Sequence, residues 1–148
     1  MESIDPQKAQ QIWQRVRGCD PEIDPTALIP LITQESVDAA ICLRLSKRLG
    51  GRGGPLLRLA RQYHRNAGCL RGICRVLTGA PPATALPALR EKPAHILLKE
   101  CYVNSLGRTF QYERYAEDRD YGPVFRRLAA TTREQCVTLL ELIGKAPQ

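Results

Sequence analysis

Residues 79–94 (GAPPATALPALREKPA) hold four prolines and show no helical period, yet they lie between long stretches that do. Proline fixes φ, has no N–H to donate and biases the preceding residue toward extended geometry, so an extended connection is expected here. At ~3.1 Å per residue it reaches on the order of 45 Å, enough to run the length of a roughly 25-residue helix rising ~1.5 Å per residue. A turn between adjacent antiparallel helices needs only a few residues. The segment therefore predicts a helical bundle with one long crossover at about 80–93.

Apolar residues recur at helical spacing on both sides of it. Asp24-Pro25 supplies a capping residue and a first-turn proline, and a helix is expected from there to about Leu49, interrupted early by Pro30. Its stripe is Leu28, Leu31/Ile32, Glu35, Ala39, Cys42, Leu45, Leu49. The glycine-rich GGRGG (50–54) reads as a helix–helix turn, because it lacks the Gly-Lys-Ser/Thr ending and the preceding strand of a phosphate loop. A second helix over 55–78 is stopped by Gly79, a third runs over 94–117, and a fourth over 122–144 is stopped by Gly144. The order DRDYGP turns the chain between the last two. Period-2 alternation is absent, so the fold class is all-α.

The 148 residues, 43% hydrophobic, suffice for one core, and a single domain over 1–148 is expected. Within it, Asp5-Pro6 and Gly18 bracket a short helix at 5–18 that packs through Trp13, ahead of a bundle over 25–144. No apolar run approaches the ~20 residues of a membrane span, and the start MESIDPQKAQ lacks the layout of a secretion signal, so the expected location is cytoplasmic, with no membrane partner. No two of the six cysteines have C-x-x-C spacing, and they read as small buried residues or incidental thiols.

The charge of +7 is uneven. Arg44, Lys47, Arg48, Arg52, Arg58, Arg61, Arg65, Arg71 and Arg75 occur with no Asp or Glu among them, whereas the other 13 basic residues meet 15 acidic ones. Such a hairpin is either a solvated basic face or an attractor for an anionic partner, phosphates or nucleic acid. Only Tyr63 is aromatic in that stretch, which argues against stacking on single strands.

Measured from the two hairpin turns, Glu35, Tyr63, Asn66, Ser105, Thr132 and Gln135 all fall near mid-height of their helices. One level of inward polar side chains on four helices is where bundle proteins build di-iron sites, with one Glu from each of two helices and Glu-x-x-His from each of the others. The strings IWQRV (12–16), LITQESVDAA (31–40), CLRGI…LTG (69–79), CY…QYERYAEDRDYGPVF (101–125) and LLELIG (139–144) resemble small rubrerythrin-related, ferritin-like proteins of anaerobic bacteria. The resemblance implies a ferritin-like four-helix bundle and, in metal-competent relatives, iron-dependent oxidase or peroxide-reducing activity.

Carried over by position, it matches Glu35 to a first-helix ligand, but puts Tyr63 and Asn66, Ser105, and Thr132 and Gln135 where the other ligands should stand. A shifted register brings in His64 and Cys136 with Arg61 and Arg133 as their partners, and guanidinium groups oppose a dication. Glu100 and Glu113 lie toward the ends or flanks of the third stripe. No cofactor is therefore expected, with Glu35, His64, Glu100 and Glu113 the weak metal candidates and iron the cofactor of the alternative. The six mid-height residues are expected to form a buried hydrogen-bonded network in which Glu35 finds donors or is protonated. The function expected is a non-catalytic binding or structural protein, with a homo-oligomer or an anionic partner as its partner classes. The alternatives are a rubrerythrin-like oxidoreductase with an atypical metal site and an anion or nucleic-acid binder using residues 44–75. Neither His64 nor His95 lies on a hydrolytic motif.

Overall fold

A computed structural model describes residues 23–49 and 53–146, and the short helix expected at 5–18, with Trp13, lies outside them. Four helices follow in order: α1 (Pro25–Arg48), α2 (Gly53–Thr78), α3 (Ala94–Tyr115) and α4 (Gly122–Lys145). No strand occurs among the described residues.

Asp24 caps α1, its Oδ1 accepting from the Thr26 backbone N–H at 3.0 Å and from Thr26 Oγ1 at 2.8 Å. Pro30 does not interrupt the helix as expected: it costs one early backbone hydrogen bond, while burial of Leu28, Leu31 and Ile32 around it holds the turn. Gly79 terminates α2 with φ +79°, its N–H donating to the Arg75 carbonyl at 2.8 Å. Gly144 is no stop, since it sits inside α4 and the helix runs one residue further. The α3–α4 turn is held by Asp118, whose Oδ2 accepts from the Asp120 and Tyr121 N–H groups at 3.0 and 2.8 Å.

α1 packs along α2 and α3 along α4, while α1 meets α3 and α2 meets α4 across the two hairpins. Pairs such as Glu35 with Tyr112 and Asp38 with Asn104 run in opposite sequence directions, so α1 and α3 are antiparallel. The end of α2 lies at the start of α1, where Cys74 Sγ is 3.7 Å from the Pro25 carbonyl. Residues 81–93 form no helix, and their last residues lie at the other end of α1, where Arg48 Nη1 and Nη2 donate at 2.9 Å to the Lys92 carbonyl and Glu91 Oε2.

The apolar core is in two parts. One groups Leu28, Ile32, Leu70, Phe125 and their neighbours, and the other groups Leu45, Leu56, Leu98, Leu139 and theirs. Between them along the helices lie the buried polar residues Glu35, Asp38, Asn66, Ser105, Arg108, Thr109, Thr132 and Gln135. α1 requires a correction to the membrane-span expectation: over an 18-residue window its mean hydropathy is 1.3, long and apolar enough to cross a membrane by length and composition. Its polar residues break every contiguous run without lowering that average much, and its inward face is spent on the core and on Glu35 and Asp38.

Candidate functional site

Glu35 and Asp38 stand three apart on α1, so both project from one face into the bundle. Arg108, Tyr112 and Ser105 project from the facing side of α3 at the same helical spacing. The Arg108 guanidinium lies between the carboxylates, with Nε donating to Glu35 Oε1 at 3.0 Å and Nη2 2.6 Å from Asp38 Oδ2, and all three side chains are fully buried. The second contact is close but off the N–H axis, so Asp38 Oδ2 receives the charge without an aligned hydrogen bond.

Glu35 Oε1 also accepts from Tyr112 OH at 2.6 Å and, more loosely, from Asn66 Nδ2 at 3.4 Å. Asn104 Nδ2 reaches Asp38 Oδ1 at 3.4 Å. Arg108 Nη2 donates to Ser105 Oγ at 3.3 Å, Ser105 shares a 2.7 Å bond with Tyr63 OH, and the guanidinium carbon sits 5.4 Å from the Tyr63 ring centre. One cation thus links side chains of three helices.

The charges do not balance when both acids ionise. Burial raises Glu35 from 4.5 to about 7, against the opposing pull of Arg108 and the Tyr112 hydrogen bond. Burial likewise raises Asp38, again opposed by Arg108. Burial alone would lower the guanidinium, but Glu35 and Asp38 outweigh it and hold Arg108 cationic. A single proton on the acid pair therefore makes the centre neutral.

The six residues expected to form one network are all buried, but not all joined. Glu35 with Asn66, and Tyr63 with Ser105, are bonded, and Arg108 connects the two pairs. Thr132 and Gln135 stand apart, which corrects the expectation. Thr132 Oγ1 donates to the Leu128 carbonyl of its own helix at 2.6 Å, and Gln135 Nε2 donates to Gln62 at 3.2 Å with its Oε1 unpartnered.

Asp38 and Arg108 escaped the sequence reading. The signal was present: Glu35-x-x-Asp38 is an inward carboxylate pair, and Arg108 stands three residues after Ser105 and four before Tyr112 on the same stripe.

The other metal candidates lie elsewhere. His64 is exposed on α2, while Glu100 is paired with Lys92 and Glu113 with Arg133. No group of three or more His, Cys, Asp or Glu side chains among the described residues is arranged to hold a metal ion. The donor set does not fit a pair of irons, which require carboxylates from several helices and imidazoles, because the two carboxylates here share a cation already. Unit charges 4 Å apart at an effective dielectric near 20 interact by about 4 kcal/mol, and a dication beside Arg108 would be repelled about twice as strongly.

The basic residues of the first hairpin have different surroundings. Arg44 and Arg48 converge on Glu91, and Arg58 lines a cleft with Glu134 and Glu141. Arg61, Arg65 and Arg71 border a groove on the outer side of α1 and α2, Lys47 and Arg75 are exposed, and Arg52 lies outside the described residues. The thiols of Cys42, Cys69, Cys74, Cys101 and Cys136 are unpaired, and Cys101 is held well above its ordinary value by the neighbouring Cys42 thiol and by burial. No family model, curated protein or solved structure matches the chain.

Proposed function

We propose that this chain is a ferritin-like four-helix bundle in which an internal guanidinium takes the position that metal ions hold in di-iron relatives, and that it acts as a binding or structural protein, not a redox enzyme. The observation that carries this is Arg108 between Glu35 and Asp38, 3.0 and 2.6 Å from their oxygens. The ferritin-like topology is supported by the placement of 79–93. That segment leaves α2 beside the start of α1 and ends beside Arg48, as a length-spanning crossover would. It gains further support from the antiparallel α1–α3 pair.

A buried triad of this kind contributes little net stability over an apolar core, because desolvation offsets its attraction. Its use is to fix the pairing of α1 with α3, since any other register strands a buried charge. The surface is then left to carry the activity.

Iron analysis of protein purified from iron-supplemented cells, with a peroxidase assay, tests the proposal. Substoichiometric iron and no iron-dependent turnover are expected. Two irons per chain, or turnover that rises with iron, would sink it and restore the oxidoreductase reading.

A further inference from the structure

The outer face of the α1–α2 hairpin carries a groove of about 640 Å³ that the ion centre does not use, within the ~300–1,000 Å³ usual for ligand pockets. Its walls are apolar: Ala40 and Leu43 from α1, Leu57 and Ala60 from α2, and Leu86 from the connecting segment. The leucines face water there, with Leu43, Leu57 and Leu86 exposed to 42%, 36% and 55%.

Basic side chains border these walls. Arg61, His64 and Arg65 follow one another at helical spacing on α2. Arg71 reaches from α2 to α1, its Nη2 donating to Ser36 Oγ at 3.2 Å, which holds the half-buried guanidinium in place. Arg44, Arg48, Arg108 and Arg133 each have a carboxylate within 4.0 Å, whereas among the described residues Arg61, Arg65 and Arg71 have none. Most of the other described arginines have none either. What distinguishes this group is that it borders apolar walls with no carboxylate in the groove lining, so nothing there opposes an anionic head.

We propose that this groove binds a free amphipathic acid, a single unbranched apolar chain lying along the leucines with a carboxylate or phosphate head held by Arg71 and the Arg61–Arg65 pair. A guanidinium fixed by one hydrogen bond keeps its remaining donors for two oxygens of such a head, at reduced ordering cost. A bare anion would have no use for the leucines. A nucleic-acid strand would need several stacking platforms, and the groove is lined by no Phe, Tyr or Trp, the His64 imidazole being its one ring. A bilayer takes a protruding apolar surface, whereas these residues line a concavity between two helices.

The inference deepens the binding-protein reading and rests on it for the claim that the surface carries the activity. Iron content reads the buried centre separately, so either can fail alone. Calorimetric titration of the full chain with laurate, below its micelle concentration, and with dodecyl phosphate is the test. One saturable site is expected for at least one of the two acids, weakened about tenfold or more by Arg71→Gln and by Leu43→Asp. Circular dichroism should show unchanged helix. If Arg71→Gln unfolds, the exposed pair Arg61→Gln/Arg65→Gln serves in its place. Dodecanol or inorganic phosphate binding as tightly as the acids would overturn the proposal, as would absence of binding to both acids. Sedimentation with anionic vesicles by protein that takes up neither acid would overturn it in favour of a membrane surface.

Discussion

Arg108 Nη2 lies 2.6 Å from Asp38 Oδ2 with both side chains fully removed from water, and the same guanidinium contacts Glu35 at 3.0 Å through Nε. The pairing crosses from one helical hairpin to the other, so it ties α1 to α3 where the two halves of the apolar core meet. Removing the cation leaves two buried carboxylates facing each other.

Arg108→Met should therefore destabilise the fold by about 3–5 kcal/mol, the usual cost of breaking a buried ion pair from one side. The triple variant Glu35→Gln, Asp38→Asn, Arg108→Met removes every charge while keeping the acceptors, and should be more stable than Arg108→Met alone. Urea unfolding at neutral pH measures both. A triple variant no better than the single one would mean that charge imbalance is not what Arg108 relieves.

The pH dependence has a definite sign. Folded Glu35 titrates at about 7 and an ordinary carboxyl at 4.5, so between those values the folded chain holds a proton that the unfolded chain has released. Stability from this group is complete below pH 4.5 and is lost as pH rises through 7. The slope reaches at most about 1.4 kcal/mol per pH unit. Asp38 is raised too and acts in the same direction. Unfolding free energy should be lower at about pH 8 than at about pH 5.5, and Glu35→Gln should flatten that difference. A wild-type profile that rises over this interval would contradict the raised carboxyl.

Tyr112→Phe removes the 2.6 Å hydrogen bond to Glu35 Oε1, which favours the ionised carboxylate. The Glu35 titration, followed by carboxyl carbon NMR, should move further up. Stability should fall by about 1–3 kcal/mol near pH 8 and by less near pH 5.5, where the acid is protonated. An unmoved titration would place the tyrosine outside the ion centre.

The helices and the extended segment were legible because each has a local cause: Asp24 before Pro25, Gly79 with its positive φ, four prolines in 79–94. Burial of Glu35, Tyr63, Asn66, Ser105, Thr132 and Gln135 was legible from helical period. Their partners were not, because spacing along one helix does not say which side chain of another will meet it. Arg108 shows why: an arginine beside a stripe usually extends its stem and keeps its charge in water, and only two acids on a facing helix make full burial tolerable. Thr132 and Gln135 failed as network members because each found a nearer partner, a carbonyl one turn back for the first and Gln62 for the second.

Gly122 opens α4, and a Cβ there would lie 2.6 Å from the Ala116 carbonyl oxygen, a backbone atom with little room to shift. Gly122→Ala should cost about 1–3 kcal/mol through displacement of the α3–α4 turn. Gly68→Ala, with nothing within 4 Å of the added carbon, serves as the control and should be neutral or stabilising. Equal stability of the two variants in thermal melts would refute the tight turn.

Glu35 distinguishes a polar centre from an apolar one with two substitutions. Glutamine keeps a carbonyl oxygen for Tyr112 and Arg108, and by removing one negative charge leaves Arg108 matched to Asp38 alone. Leucine fills similar space but leaves the Tyr112 hydroxyl, Arg108 Nε and the Asn66 amide without the acceptor they now share. Each buried polar group stranded in this way costs roughly 1–3 kcal/mol, more when it is charged, and the gain from burying one more apolar side chain is about 1.5–3 kcal/mol. Three losses outweigh one gain, so Glu35→Gln should be the more stable variant near pH 8, where wild-type Glu35 is largely ionised. The measurement is the urea midpoint of both variants in the same buffer. A leucine variant equal to or more stable than the glutamine variant would mean that the hydrogen bonds to Glu35 do not shape the fold, and the α1–α3 register would need another cause.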